Sequence, residues 1–201
     1  VDHVSFDLDR SRVVGIAGES GSGKSTLVYG MTRLLRAPGV ITSGEATLIL
    51  ESGDEFDLLR ANEDELRTIR WSHVSVVMQS ALNALNPLKR VGYEFDEVLR
   101  LHDRTLSKAQ RRERSVELLG LVGLAPDRLD RYPHELSGGQ RQRVVIALAL
   151  ALEPELVIMD EPTTALDVVT QREIVSELYE LRQQLGFAMI FICLLYTSPS
   201  P

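Results

Sequence analysis

The chain has 201 residues, of which 44% are apolar and 25% are charged, and its net charge is −7. This composition is ordinary for a globular domain, and the acidic balance argues against a general nucleic-acid binder, because no basic excess is available to neutralise phosphates. The single cysteine, Cys193, excludes an internal disulfide and fits a reducing compartment. The longest apolar runs, 144–152 and 187–195, are far shorter than the roughly 20 residues of a membrane helix. Any link to a membrane is therefore expected to pass through a partner.

Four short apolar runs have the composition of strands that are buried on both faces. They are VVGIAG (13–18), HVSVVMQ (73–79), LVIMDE (156–161) and FAMIFI (187–192). A helical pattern follows the first run at 24–35, and another follows the third at 163–186, where Gly186 is suited to end the helix. Strands that alternate with helices predict an α/β fold with a mostly parallel sheet.

Two further regions depart from this alternation. Segments 1–10 and 44–60 alternate in polarity and are predicted to form a small antiparallel β subdomain. The stretch 85–153 has helical patterns with no strand between them, and we interpret it as a helical subdomain inserted between two strands. The predicted α/β core then comprises residues 1–84 and 154–192.

The stretch GESGSGKST (18–26) matches the phosphate-binding pattern G-x-x-x-x-G-K-[ST] in full. Gly18 and Gly23 permit a tight turn whose amides point inward at phosphate oxygens. Lys24 is suited to reach the β- and γ-phosphates, and the Ser25 hydroxyl is suited to bind Mg²⁺. The alternative is an ordinary Gly/Ser loop between a strand and a helix. The predicted nucleotide-binding residues here are Gly18, Glu19, Ser20, Gly21, Ser22, Gly23, Lys24, Ser25 and Thr26.

Two carboxylates, Asp160 and Glu161, end the third apolar run. The end of a buried parallel strand lies at the carboxyl edge of the sheet, where ligands bind. Asp160 is predicted to hold Mg²⁺ through water, and Glu161 to orient and deprotonate the water that attacks the γ-phosphate. The alternative is a helix start with Pro162 at its first position. Gln79, which ends the second run, is either a solvated side chain or a further member of this site.

The stretch ELSGGQRQR (135–143) places two glycines, Gly138 and Gly139, at the start of a long apolar helix, where glycine is unfavourable. Ser137 is a good N-cap, and the glycine amides would be free to donate to an anion that the helix dipole favours. With Arg141 and Arg143 behind it, this is a second candidate phosphate site. The simplest arrangement is a dimer in which the second site of each subunit covers the nucleotide of the other.

Five motifs in chain order resemble those of ATP-binding cassette (ABC) ATPases. GESGSGKST, Gln79, LSGGQ, LVIMDE and TALD (164–167) look like the Walker A, Q-loop, signature, Walker B and D-loop motifs, and the resemblance covers residues 1 to about 192. NALNP (83–87) and YPHELSGGQRQR (132–143) are similar to the ATPase subunits of dipeptide and oligopeptide importers, although nickel and oligosaccharide importers look alike here. The resemblance implies a P-loop NTPase (RecA-like) core.

By this resemblance, two cassettes close head to tail on two ATP molecules. Ser137, Gly138 and Gly139, with Gln140 beside them, would contact the γ-phosphate held by the partner. The implied catalytic residues are Glu161, Gln79 and Lys24, and the implied metal ligands are Ser25, Gln79 and Asp160. Asp167 would cross the dimer interface.

The implied partners are a second identical or paralogous cassette, transmembrane permease subunits that face residues 83–87, and indirectly an extracytoplasmic solute-binding protein. The implied cofactors are ATP and Mg²⁺, no nucleic acid is expected, and the implied location is the cytoplasmic face of the membrane. The implied function is ATP hydrolysis coupled to the uptake of peptides or similar solutes.

The chain departs from the family at position 194, where Leu194 stands in place of a histidine that contacts the γ-phosphate. The aromatic residue that stacks on adenine would lie before residue 1. We expect CLLYTSPSP (193–201) to be a non-native tail, such as a fusion scar or an adapter translation, the alternative being a natural degenerate cassette. Because of these departures from the family, we expect this chain to have weak ATPase activity. The alternative functions are a non-transport cassette of DNA repair or translation and a nucleotide-binding module that does not hydrolyse.

Overall fold

The computed structural model describes residues 1–79 and 84–194, which form six helices and six strands together with two short 3₁₀ helices, Pro126–Asp130 and Pro133–Glu135. In chain order the elements are β1 (Val13–Gly18), α1 (Lys24–Met31), β2 (Thr47–Ile49), β3 (Glu55–Asp57), α2 (Glu63–Ile69), β4 (Val74–Val77), α3 (Val91–His102), α4 (Lys108–Leu121), α5 (Gly138–Ala149), β5 (Leu156–Asp160), α6 (Val168–Leu185) and β6 (Ala188–Leu194).

A four-stranded parallel sheet in the order β1-β6-β5-β4 lies at the centre. All five residues of β5 are buried, as expected for an inner strand that is covered on both faces. Each strand coincides with one of the four predicted apolar runs, and β6 continues two residues past the predicted end at 192, to Leu194. The prediction of an α/β fold with a mostly parallel sheet is confirmed.

Helices cover both faces of this sheet. Val157 and Met159 belong to one apolar cluster, with residues of α3 to α6, whereas Ile158 between them belongs to another, with Val28 of α1 and Leu66 of α2. Successive strand side chains point to opposite faces, so one strand supplies both clusters. The carboxyl ends of the strands therefore remain free at one edge, which is where the predicted site residues lie.

Between β4 and β5 the described chain is helical. Helices α3 and α4 and the first 3₁₀ helix pack around fully buried side chains, among them Phe95, Leu118 and Leu129. These residues belong to the same apolar cluster as the α5 and α6 face of the sheet. The predicted boundaries of this helical subdomain, 85 and 153, stay predictions.

The predicted antiparallel unit is smaller than expected. Strands β2 and β3 pair with each other, with Thr47 opposite Asp57, but residues 1–10 form no strand, so that part of the prediction is wrong. Val1, Val4 and Phe6 are exposed, whereas Leu8 packs against the apolar cluster that contains Val28. The segment therefore contacts the core without forming a strand.

Two helices differ from the sequence-based prediction: α2 is absent from it, and α6 begins later than predicted. Helix α2 has seven residues, too few for a periodic signal, although Asn62 and Glu65 form a capping box at its start. Helix α6 begins at Val168 rather than at 163, because the Asp167 side chain accepts hydrogen bonds from the amides of Val169 and Thr170. Within the described ranges, no helix is long and apolar enough to cross a membrane.

Candidate nucleotide-binding site

The loop between β1 and α1 has the backbone of a phosphate cradle. Gly21 and Gly23 have φ values of 79° and 92°, which glycine adopts without strain. The sequence pattern assigns the turn to Gly18 and Gly23, but Gly18 ends β1, and a Cβ there would lie 3.0 Å from Ser22 Oγ. Helix α1 begins at Lys24, so the free amides of its first turn face the loop.

Lys24 lies across this loop. Its Nζ donates to the carbonyl oxygens of Gly18 at 3.1 Å and Glu19 at 2.7 Å, and the residue is only 8% exposed. These contacts hold the ammonium group at the mouth of the loop, where it can exchange carbonyl oxygens for phosphate oxygens. The position is the one that the sequence pattern predicts for a lysine that binds phosphate.

Asp160, at the end of β5, contacts α1 through both carboxylate oxygens. Ser25 Oγ donates to Oδ1 at 2.9 Å, and Tyr29 Oη donates to Oδ2 at 2.6 Å. Asp160 is 1% exposed. Tyr29 was not among the predicted site residues, although it lies four residues after Ser25 and so on the same face of the helix. Burial, followed by the Asp160 and Glu161 carboxylates, raises the pKa of Tyr29, so its hydroxyl remains a donor at neutral pH.

The residues at this edge fit Mg²⁺. The Ser25 hydroxyl, the Asp160 carboxylate and the Gln79 amide are oxygen donors, which Mg²⁺ prefers, and it is typically held by one or two carboxylates together with substrate phosphates. These donors suit a cation that arrives with a nucleotide.

Glu161 is the strained member of the site. Its φ is 48°, a left-handed backbone that costs a residue other than glycine about 1–3 kcal/mol and is common at functional sites. The residue is 7% exposed, and Gln79 Nε2 donates to its Oε2 at 2.8 Å. Burial and then the charge of Asp160 raise the pKa of the Glu161 carboxyl, against an opposing effect of Lys24. The alternative interpretation, a helix that starts with Pro162 at its first position, is wrong, because no helix starts there.

The signature stretch starts α5 with a capping box. Ser137 Oγ accepts from the Gln140 amide at 3.2 Å, and Gln140 Oε1 accepts from the Ser137 amide at 3.1 Å. The spacing S-x-x-Q signals this arrangement in the sequence. Arg143 forms a bidentate pair with Glu177, at 2.6 and 2.8 Å, and Arg141 donates to the Leu136 carbonyl. Both arginines thus have partners within the chain.

The two signature glycines are packed against the first turn of α6 and the residues just before it. A Cβ on Gly138 would lie 3.1 Å from Leu166 Cδ2, and one on Gly139 would lie 2.7 Å from Thr170 Cγ2. The sequence pattern predicts that a phosphate approaches this backbone. In the structure, residues 166 and 170 of the same chain approach it, so the glycines are needed for packing before any ligand is considered.

The structure brings together the predicted cradle, Asp160, Glu161 and Gln79, but not residues 137–140. Among the described residues, no hydrogen bond or ion pair joins 137–140 to the cradle. Leu194 lies in register with Gly18 on the neighbouring strand, beside the start of the cradle. Residues 80–83 and 195–201, which include Asn83 and most of the predicted tail, lie outside the described residues.

A family model described as ABC transporter matches residues 1–164. The chain belongs to the ABC transporter family. A fold comparison agrees. A solved structure of the ATP-binding cassette MJ0796 shows a dimer in a post-hydrolysis state bound to ADP and Pi. Its TM-score with this chain is 0.76 and its sequence identity is 32%, over 93% of this chain and 76% of that one.

Curated ABC relatives with transport names are similar over nearly the whole chain. The peptidoglycan transport ATP-binding protein YejF of Agrobacterium fabrum is 46% identical, the dipeptide transport protein DppD of Escherichia coli 42% and its oligopeptide counterpart OppD 44%, each over 96% of this chain. The chain spans 35%, 58% and 56% of their respective lengths.

The raised pKa of Glu161 predicts that Glu161→Gln stabilises this ABC chain at neutral pH. The folded state binds the Glu161 proton more tightly than the unfolded chain does, so this contribution to stability is present below the unfolded pKa and is lost as the pH rises through the folded pKa. The amide removes that loss and can still accept from Gln79. We expect the Tm to rise at pH 8 and to rise by less at pH 4, where the carboxyl is mostly protonated in both states.

Differential scanning calorimetry at the two pH values measures this effect. Glu113→Gln, at an exposed position of α4, is the matched control and should leave the Tm unchanged at both. A Tm of Glu161→Gln that is lower than that of the unsubstituted chain at pH 8 would contradict the prediction.

The packing of the signature glycines predicts a coupled pair of substitutions. Gly139→Ala should lower the free energy of unfolding by about 1–3 kcal/mol, because the new Cβ overlaps the stiff Thr170 side chain. Thr170→Ser removes the overlapping Cγ2 and keeps the 2.7 Å hydrogen bond to Asp167. In that background Gly139→Ala should cost much less, which urea unfolding of the double-mutant cycle measures.

Gly120→Ala in α4 is the control for this cycle, since nothing lies within 4 Å of a Cβ there and the substitution should be neutral or stabilising. Equal costs of Gly139→Ala in both backgrounds would show that Thr170 is not the cause.

Proposed function

We propose that this chain is the ATP-binding and hydrolysing unit of an ABC importer that takes up peptides or similar solutes. The observation that carries the proposal is the 2.9 Å hydrogen bond from Ser25 to Asp160, residues 135 positions apart. It joins the predicted phosphate-binding loop to the acidic end of a buried strand, and Lys24 and Glu161 are the chain neighbours of the two bonded residues. The transport names of the relatives support the solute class.

The mechanism follows from the residues at this edge. The cradle amides and Lys24 would bind the β- and γ-phosphates. Ser25, Gln79 and Asp160 would hold Mg²⁺, which would neutralise phosphate charge. Glu161 orients a water molecule and accepts its proton as the water oxygen attacks the γ-phosphorus and the bond to ADP breaks. Its raised pKa makes the carboxylate a better base than an ordinary glutamate, and Gln79 fixes its orientation.

We infer further that two cassettes are required. Ser137, Gly138, Gly139 and Gln140 start α5, whose positive end favours an anion, and no contact joins them to the cradle within the described part of one chain. They would cover the nucleotide of a partner cassette, as the dimeric state of MJ0796 supports. Coupling to permease subunits would hold the dimer at the cytoplasmic face of the membrane.

A non-hydrolysing nucleotide-binding module is the second candidate, and Leu194 favours it. The residue lies beside Gly18, where a side chain without a donor cannot bind the γ-phosphate. We therefore expect slow turnover in this chain.

Sedimentation velocity with ATP and Mg²⁺, combined with phosphate release, tests both candidates. An ATP-dependent dimer that releases phosphate supports the importer ATPase, faster release by Leu194→His supports the role of that position, and a chain that binds ATP without measurable release supports the second candidate. Failure to bind ATP would refute both.

A further inference from the structure

Tyr29 makes a contact that the five sequence motifs do not explain. Its hydroxyl lies 2.6 Å from Asp160 Oδ2, while Ser25 Oγ lies 2.9 Å from Oδ1. Position 29 is outside the phosphate-binding pattern, which ends at Ser25 in this chain. The two donors are one helical turn apart on α1 and hold the two oxygens of one almost fully buried carboxylate.

We propose that Tyr29 is a positioning residue that fixes the orientation of the Asp160 carboxylate and thereby strengthens Mg²⁺ binding in the nucleotide complex. This inference rests on the proposed function. Residues that hydrogen-bond to a metal ligand set the orientation of that ligand. Removing such a residue typically weakens metal affinity about 10–100-fold.

The need for two donors follows from the freedom of the carboxylate. The terminal torsion of aspartate is broad, so one hydrogen bond from Ser25 leaves the group able to turn about its own axis. The hydrogen bond from Tyr29 removes that freedom. Ser25 is itself a proposed metal ligand, and it keeps its geometry only while Oδ1 remains opposite its hydroxyl.

Both the backbone and the ring of Tyr29 have contacts that hold the residue in place. Its carbonyl oxygen accepts from the amides of Leu34 and Leu35 at 2.8 and 3.0 Å, and its ring packs against the apolar cluster that contains Leu66 and Ile69. A ring anchored in this way delivers its hydroxyl to a fixed point. Because packing and hydrogen bonding use different parts of the side chain, Tyr29→Phe removes the hydroxyl alone.

The test separates metal binding from nucleotide binding. Mn²⁺ affinity of the chain at saturating ATP is measured from the electron paramagnetic resonance signal of free Mn²⁺, and ATP affinity in EDTA is measured by calorimetry. Tyr29→Phe should weaken Mn²⁺ binding about tenfold and change metal-free ATP affinity less than twofold. Tyr93→Phe, which removes a hydroxyl from an exposed ring on α3, should change neither value.

Three results would overturn the proposal. The first is a Mn²⁺ affinity of Tyr29→Phe that is unchanged or tighter. The second is a loss of ATP affinity in EDTA as large as the loss of Mn²⁺ affinity, which would mean a structural role for Tyr29. The third is the absence of ATP binding by the unsubstituted chain. The last result would refute the proposed function as well, whereas the first two leave it standing.

Discussion

Lys24→Ala is expected to weaken ATP binding to this chain by about 100-fold or more. The Lys24 ammonium group lies at the mouth of the cradle, held by two carbonyl oxygens that phosphate oxygens can replace. Each hydrogen bond to a charged group contributes about 1.5–3 kcal/mol, and 1.4 kcal/mol corresponds to about a tenfold change in affinity. Two such bonds therefore account for the expected loss, which isothermal titration calorimetry with ATP and Mg²⁺ measures.

The control for this experiment is Lys108→Ala, which removes an exposed ammonium group from the first turn of α4. It should leave ATP affinity within about twofold, since an exposed charge far from the ligand is largely screened. A thermal melt of Lys24→Ala shows whether the variant stays folded once the carbonyl oxygens of Gly18 and Glu19 have lost the lysine as their partner. Retention of ATP affinity within threefold by a folded Lys24→Ala would refute the cradle assignment.

Glu161→Gln is expected to lower ATP turnover by about 100- to 10,000-fold, the usual contribution of a general base, and to leave ATP binding intact. The amide preserves the shape of the site and can still accept from Gln79, but it cannot take a proton. ATP should then persist, and a nucleotide-bound dimer should accumulate. Single-turnover release of labelled phosphate and sedimentation velocity measure the two effects, in this chain and in a Leu194→His version of it.

The pH dependence of turnover provides a separate readout for Glu161. The base must be ionised, and burial followed by the charge of Asp160 raises the pKa of its carboxyl. Turnover of the unsubstituted chain should therefore fall with decreasing pH at values above the ordinary glutamate range, and Glu161→Gln should lose this dependence. Glu113→Gln should retain both the rate and the pH profile. Turnover of Glu161→Gln within threefold of the unsubstituted chain would remove Glu161 from its proposed role.

Much of the site could be predicted because its parts are local. Residues 18–26 form a continuous pattern whose backbone function depends on glycine at fixed positions, and the structure places positive φ at two of these glycines, Gly21 and Gly23. Asp160 and Glu161 could be assigned to the same edge because parallel strands all end there. Neither inference needed knowledge of a contact between distant residues.

Contacts between distant residues were missed for the same reason. No periodicity links Tyr29 to Asp160, 131 positions apart, or Gly139 to Thr170, 31 positions apart. The alternation of residues 1–10 was misleading, since Val1, Val4 and Phe6 are exposed although Leu8 packs against an apolar cluster. Helix α2 was missed although Asn62 and Glu65 carry a capping signal, because seven residues are too few for periodicity to be counted.

The amino-acid sequence by itself determined the alternation of strands and helices, the phosphate-binding loop, the acidic end of β5 and membership of the ABC transporter family. These features depend on residues that are neighbours along the chain, or on the rule that parallel strands end at one edge. Only the tertiary structure decided which side chains share a carboxylate and which side chains pack against the signature glycines. Such contacts arise when helices and strands pack at distances of a few ångströms, and packing joins residues that no local pattern connects.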